Sequence, residues 1–360
     1  MEKILTIVIP TYNMQDYLRR CLDSLLVPAE QLPLMEVLVL NDGSKDNSSS
    51  IAHEYQDKYP QTFIVIDKEN GNYGSCINKA LTVATGKYIR ILDADDWYNT
   101  ENLSSLISLL MNEESDVVLT DFDVHLPSKT IKVDSFFKKK NYVYPIEEAY
   151  EENKKEIWNV QMHSICYKLI CFEGIEYHQT EGVSYTDKEW NSMPWVNVKT
   201  LRYIPVEVYQ YNLSREGQTC DKKVFLKKIP EQIIGIRNCL LKADVLFCKV
   251  DDFHKQLLFE TIAYRIQSLY HYIKVDVMDN PQFIIDFDKE LVKRYPQYAE
   301  LIETDVMRCY YPYRYIKKWR ESDYASIPFL IKFSFLFVRK SVGLSKRMLN
   351  FFGLYQYERP

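Results

Sequence analysis

Between Ile4 and Asp121 short apolar runs alternate with amphipathic stretches, and this alternation constrains the fold more than any other feature of the chain. ILTIVI at 4–9, EVLVL at 36–40, FIVID at 63–67, KYIRIL at 87–92 and DVVLTD at 116–121 read as strands. The stretch 16–26 carries Tyr17, Leu18, Cys21, Leu22, Leu25 and Leu26 at helical spacing. A second helix is predicted over 48–58, capped by Asp46, Asn47 and Ser48. A third is predicted over 75–85, stopped by Gly86, and a fourth over 101–111. Strand–helix repeats of this kind close through crossovers between parallel strands. The fold class is therefore α/β, a mostly parallel sheet with helices on both faces. In such sheets ligands gather at the carboxyl ends of the strands, where the polar turns of this chain lie.

The remainder has a different texture. From Thr130 to Gln218 the pattern is mixed, with short strands expected at 131–133 and 201–211. Beyond about residue 220 helical stretches dominate, at 223–243, 253–274 and 284–295. The expected organisation is a catalytic domain over 1–220 and a helical domain over 221–360. The first divides near residue 125 into a nucleotide half and an acceptor half. With 360 residues and a formal net charge of -5 the chain has no basic field to attract nucleic acid. Its eight Cys show neither CxxC nor zinc-ligand spacing, so they read as thiols kept reduced in a cytoplasm. The few residues before Ile4 are too short a lead for a signal peptide, and no apolar run reaches the about 18 residues of a membrane span.

Three turns carry the chemistry. Asp93-Ala94-Asp95-Asp96 follows KYIRIL directly. Carboxylates so close repel one another unless a cation sits among them, and Mg²⁺ or Mn²⁺ prefers such oxygens together with phosphate. Taken alone, the cluster reads equally well as a solvated acidic turn before a helix. Asn41-Asp42-Gly43-Ser44 ends the second strand, where Asp42 could accept from a base or a ribose hydroxyl. Pro10-Thr11-Tyr12-Asn13 ends the first. Either of these alone is an ordinary turn.

Together, IVIPTYN, VLVLNDGSKDNS, NGNYGSCINKAL and GKYIRILDADDW resemble, in order and spacing, the N-terminal pattern of the inverting family 2 glycosyltransferases, of the bacterial surface-glycan type. The resemblance covers about residues 3–220. It implies the GT-A fold and a nucleotide-sugar donor, with UDP the commonest nucleotide. It implies that Pro10, Thr11, Tyr12, Asn13, Asn70 and Gly71 line the nucleotide, with Tyr12 near the base and Asp42 reading it. Asp93 would touch the ribose or the donor sugar, Ala94 would lie between the carboxylates, and Asp96 would sit beside the donor sugar. Asp95 would be the principal ligand of Mn²⁺ or Mg²⁺, assisted by Asp93. Asn41 departs from the pattern, where many relatives have a second Asp. So does Cys76-Ile77, where many have Ala-Arg.

Tyr185-Thr186-Asp187-Lys188-Glu189-Trp190 resembles the acceptor-side acidic motif of the family, which makes Asp187 the general base and Glu189 the second candidate. The alternative for Asp187 is a helix start after Thr186. Tyr209 to Gln218 resembles the end of the catalytic domain, with Arg215 placed to grip the diphosphate or, alternatively, to pair with Glu216 at the surface. His163 is a candidate for the acceptor cleft. No QxxRW element and no membrane helix accompany these motifs, which favours transfer of a single sugar.

The stretch 328–357 interleaves Phe with Lys and Arg. It is a candidate for peripheral contact with the inner face of an anionic membrane, where a lipid-linked acceptor would be met, or for a dimer contact. The implied acceptor is a glycan, a glycoprotein or a lipid-linked sugar. Two other readings compete. A nucleotide-sugar pyrophosphorylase would open on a Gly-rich loop, and PTYN is not one. A non-catalytic scaffold paralogue would be expected to have lost carboxylates such as Asp93, Asp95 and Asp187, which are present.

Overall fold

The computed structural model describes residues 2–134, 137–153, 160–214, 224, 227–276, 282–304 and 315–325. The chain divides into two compact units, one formed by 1–218 with 241–258 and the other by 219–240 with 259–360.

The first unit is built on one sheet. Strands β1 (Leu5–Thr11), β2 (Met35–Asn41), β3 (Phe63–Asp67) and β4 (Tyr88–Ile91) alternate with helices α1 (Gln15–Asp23), α2 (Ser48–Lys58) and α3 (Asn72–Leu81). There follow β5 (Trp97–Tyr98), α4 (Thr100–Leu110), β6 (Val117–Leu126), β7 (Lys129–Val133), β8 (Val143–Pro145), α5 (Ile146–Glu152), β9 (Ile165–Lys168), α6 (Asp187–Trp190) and β10 (Thr200–Asn212). The strand order is β3-β2-β1-β4-β9-β6-β10-β5, with β7 on β6 and β8 on β10. Strands β3, β2, β1 and β4 run parallel, as do β6 and β10. Strand β9 lies between β4 and β6, antiparallel to both.

The strands are buried on both faces, which is why they read as unbroken apolar runs rather than alternating ones. Ile7, Ile9, Val37 and Val39 join one core with Leu18 and Leu22 of α1, Ile51 of α2 and Leu103 of α4. Val8, Leu38 and Leu40 join the other core with Ile77 of α3, Ala149 of α5, Trp190 and Trp195.

Several expectations are corrected. The third helix spans Asn72–Leu81 rather than 75–85. It ends early because the Thr82 hydroxyl bonds back to the Lys79 carbonyl and Thr85 turns away to bond Glu36. Gly86 does not stop it. A Cβ at Gly86 would lie 2.6 Å from the Thr6 amide, so glycine is there to let the chain pass close to β1. The start of α2 is capped by Asp46, whose Oδ1 accepts from the Ser48 amide while its Oδ2 accepts from the Gln15 amide at the start of α1. Asn47, at the cap position itself, makes no capping bond. Strands β5, β8 and β9 were not expected, because each has at most four residues and too few positions to show a period.

The second unit is helical. Its described residues lie in parts of α7 (Ile229–Leu246) and α8 (Asp252–Asp276) and in α9 (Gln282–Arg294), α10 (Pro296–Thr304) and α11 (Tyr315–Glu321). Within it Asp288 is fully buried and takes two bonds of 2.8 Å from the Arg320 guanidinium and one from each of the Tyr270 and Tyr324 hydroxyls. Among the described residues no helix is long and apolar enough to cross a membrane. The basic-aromatic stretch at 328–357 lies outside the described residues, as does Arg215.

Candidate active site

The turns after β1, β2, β3 and β4 meet at the carboxyl edge of the sheet and are tied to one another. Thr11 is buried and Tyr12 is exposed at 46%. Asn13 adopts φ 53°, so its amide meets the Ser44 hydroxyl while its side-chain oxygen accepts from the Lys45 amide. Pro10 to Asn13 are thereby laid against the second turn. Asn41 donates to Asp67 at 2.6 Å. An aspartate at position 41 would face that carboxylate with like charge, which explains the amide here.

Asp42 is almost fully buried. Its Oδ1 accepts from Lys68 at 2.5 Å and from the Gly71 amide, and its Oδ2 accepts from the Asn72 amide. The carboxylate thus caps the start of α3, where orphan amides and the helix dipole favour negative charge. Asn70 donates to the Asp42 carbonyl and is otherwise exposed.

The acidic turn is held from the opposite side by the end of β10. The Tyr209 hydroxyl donates to Asp96 Oδ2 at 2.5 Å and accepts from the Asp93 amide at 3.1 Å. The Asn212 amide donates to Asp96 Oδ1, and its side chain donates to the Asp95 carbonyl. Asp96 is therefore an interior strut, and Ala94 is buried beneath it. Burial, and then the charges of Asp95 and Asp93, push the Asp96 carboxyl well above the usual range, against the pull of the Tyr209 and Asn212 bonds.

Asp93 and Asp95 are half-buried. One oxygen of Asp93, one of Asp96 and one ring nitrogen of His163 lie within 4.8 Å of one another. His163 stacks on Tyr211 at 4.4 Å and meets Tyr209 edge-on at 4.6 Å. Its carbonyl accepts from Arg90, which is fully buried on β4. The carboxylate oxygens fit the implied Mn²⁺ or Mg²⁺, while the imidazole is a softer donor than Mg²⁺ prefers. Asp95, the expected principal ligand, adjoins this group without being part of it.

The two candidate bases differ sharply. Glu189 is buried; it accepts from the Thr180 amide at 3.1 Å and forms an ion pair with Lys242 at 2.5 Å. Lys242 also donates to the His178 carbonyl. Asp187 is half-buried at the first position of α6, two residues after Tyr185 at φ 64°. Among the described residues no hydrogen bond or ion pair takes its carboxylate. Thr186 makes no side-chain cap.

Tyr73 of α3 stands beside the acidic turn. Its hydroxyl donates to Asp93 Oδ1 at 3.0 Å and contacts the Met162 sulfur at 3.5 Å. Burial raises the phenol pKa well above its ordinary value, and the charges of Asp93 and then Asp187 raise it further. Tyr73, Tyr209 and Asn212 were not singled out from the sequence. Tyr73 sits inside NGNYGSC and the other two inside YQYN, so their segments were marked but their side chains carried no signal of their own.

Comparison with known proteins defines the class of fold. The chain superposes on Staphylococcus aureus TarS 1–349 in complex with UDP-GlcNAc with a TM-score of 0.60 over 89% of this chain and 92% of that one, at 20% identity. The fold is therefore GT-A. Residues 6–177, just under half of the chain, match the family model described as Glycosyl transferase family 2, and that segment belongs to this family. An uncharacterized glycosyltransferase of Mycoplasma genitalium is 42% identical over 97 residues, which are 26% of this chain and 32% of that protein. The putative glycosyltransferase EpsH of Bacillus subtilis is 25% identical over 263 residues, 73% of this chain and 63% of EpsH. TarS itself, a poly(ribitol-phosphate) β-N-acetylglucosaminyltransferase, is 23% identical over 283 residues, 78% of this chain and 48% of TarS. The chain thus spans between about a third and two thirds of the length of these curated relatives.

Proposed function

We propose that the chain is an inverting, non-processive glycosyltransferase that moves one sugar from a UDP-sugar to an acceptor hydroxyl in the synthesis of a bacterial surface polysaccharide or glycan. The observation that carries this reading is the acidic turn Asp93–Asp96, held by Tyr209 and Asn212 at the carboxyl edge of a GT-A sheet. Relatives named for poly(ribitol-phosphate) support a polyol-phosphate polymer as one class of acceptor.

Asp187 is the general base. It takes the proton of the acceptor hydroxyl as that oxygen bonds to the anomeric carbon, and the bond from that carbon to the diphosphate breaks on the opposite face. UDP leaves and the anomeric configuration inverts. The free carboxylate of Asp187 suits this task, whereas Glu189 is committed to Lys242 and Thr180. Asp95 and Asp93, the ligands the resemblance implies, would hold Mn²⁺ or Mg²⁺, with His163 beside Asp93, and the metal would neutralise the charge developing on the diphosphate. Asp42 and the turn at 10–13 form the nucleotide side, with Asn70 and Gly71 beside them. Arg215 is retained as a candidate phosphate ligand.

The test is nucleoside diphosphate release from a panel of UDP-, GDP- and dTDP-sugars with Mn²⁺, with and without EDTA. Release from one donor that is lost with EDTA, with Asp95→Ala and with Asp187→Asn establishes the reading and names the sugar. Release that survives Asp187→Asn moves the base elsewhere. No release from any donor, together with no nucleotide binding by calorimetry, sinks the enzyme reading and favours a scaffold.

A further inference from the structure

Asp187 opens a helix that cannot hold itself. α6 has four residues, Thr186 gives it no side-chain cap, and Tyr185 before it sits at φ 64°. One turn fixes too many dihedrals for the hydrogen bonds it gains to be stable alone. The place of Asp187 is therefore set by what anchors the rest of α6. Trp190 is fully buried, and its carbonyl accepts from the Tyr167 hydroxyl at 2.9 Å. Glu189, also buried, is the second anchor.

One oxygen of Glu189 accepts from the Thr180 amide at 3.1 Å and the other from Lys242 at 2.5 Å. The same ammonium donates to the His178 carbonyl, so Lys242 joins α6 to the loop 178–182. That loop is fixed in turn to α3. The Asn78 side chain accepts from the Gln179 amide at 2.7 Å and donates to the Gln179 carbonyl at 3.0 Å. The Gly182 amide donates to the Gly71 carbonyl at 3.0 Å. Helix α3 also carries Tyr73, which bonds Asp93. A continuous set of bonds thus runs from the acidic turn through α3 and the loop to α6, and the Glu189–Lys242 pair is its last link. Lys242 lies on the part of α7 that belongs to the first unit. Beyond it in the same unit, the buried His254 ring meets the Val198 carbonyl at 3.0 Å, which fastens this stretch as well.

A buried carboxylate is stable when it is paired, so Glu189 and Lys242 hold each other where the loop and α6 meet. A general base must lie within hydrogen-bond reach of the proton it takes, and a displacement of about 1 Å can cost about a hundredfold in rate. We propose that Lys242 is a positioning residue of the transfer: through Glu189 and the His178 carbonyl it fixes α6, and with it the distance from the Asp187 carboxylate to the acceptor hydroxyl. The inference rests on the glycosyltransferase reading and on Asp187 as its base.

Donor hydrolysis, with water in the acceptor's place, tests it without knowledge of the natural acceptor. Lys242→Met removes the ammonium and keeps most of the stem. The expected result is a fall in hydrolytic kcat of about tenfold or more, with the donor KM and the Kd for UDP, measured by calorimetry, changed less than about twofold. Amide hydrogen exchange should quicken about tenfold or more at 178–191 and change less than about twofold at 41–44 and 93–96. Lys242→Met with Glu189→Gln strands no buried carboxylate, so it tests the same tie if the single variant fails to fold, and the same fall is expected. A wild-type kcat in either variant overturns the positioning role even if exchange quickens, because the tie is then merely structural. Unchanged exchange at 178–191 overturns it, as does a fall in kcat matched by an equal loss of UDP affinity. Wild-type hydrolysis by Asp187→Asn sinks the base assignment instead, and faster exchange in Lys242→Met then leaves the tie between Lys242 and α6 standing by itself.

Discussion

At the scale of single residues the acidic turn is shaped by groups that need touch no substrate. Tyr209 bridges the Asp93 amide and the Asp96 carboxylate, so its hydroxyl ties the backbone of the acidic turn to β10. Tyr209→Phe leaves two buried groups short of a partner and should cost about 1–3 kcal/mol of stability. Titration of donor hydrolysis with Mn²⁺ should show a higher half-saturating concentration, whereas an unchanged metal requirement would mean that Tyr209 only packs. Asp42 supports α3 in a comparable way. Asp42→Ala abandons the Gly71 and Asn72 amides and the Lys68 ammonium. A loss of about 1–3 kcal/mol is expected by urea denaturation, because two amides and the half-buried Lys68 ammonium, which keeps the Glu69 carbonyl and the Ser75 hydroxyl, lose their shared acceptor together.

Helices and strands act here as spacers, and small residues set the spacing. Gly74→Ala would drive a methyl group into the Thr180 carbonyl. Since backbone cannot rotate away, α3 and the loop before Asp187 must separate, at a cost of about 1–3 kcal/mol. Thermal denaturation and hydrolytic kcat should fall together in that variant. The junction of α4 and β6 carries a pH dependence. Burial opposes the ionisation of Glu113, but hydrogen bonds from the Ser115 hydroxyl and amide, together with Arg202 of β10, hold its carboxyl below its ordinary value. A lowered folded pKa stabilises the protein above the unfolded value, about 4.3, and the contribution disappears as pH falls through the folded value. Urea midpoints measured from pH 6 down to pH 3, a range spanning about the ordinary carboxylate values, should therefore drop less steeply in Glu113→Gln than in wild type.

At the scale of the whole molecule the two units are stabilised by different means. The first relies on a sheet buried on both faces, between two apolar cores. In the second, Asp288 is enclosed by Arg320, Tyr270 and Tyr324. Arg320→Met strands a buried carboxylate and should cost that unit about 3–5 kcal/mol. Replacing Asp288 as well, in Asp288→Leu with Arg320→Met, should recover most of the loss. Denaturation followed by fluorescence checks both outcomes, and a double variant no better than the single one would show that packing rather than charge governs the site.

The sequence by itself determined the α/β class, the parallel first half and the turns at 10–13, 41–44 and 93–96. Their signals are local: a run of apolar residues marks a doubly buried strand, and the polar residues that end it mark the sheet edge. Asp187 was singled out only through a short motif that resembles the family's acceptor-side pattern. What only the tertiary structure decided is how those residues are employed. Asp42 faces the start of α3, Asp96 is a strut under Tyr209, and Glu189 is spent on Lys242, 53 residues further along the chain. Strand β9 entered the sheet unforeseen because four residues cannot show a period. Tyr73 came to bond Asp93, 20 residues further along the chain, and to meet Met162, 89 residues away. Contacts of that kind depend on loop closure and packing, and no local pattern records them.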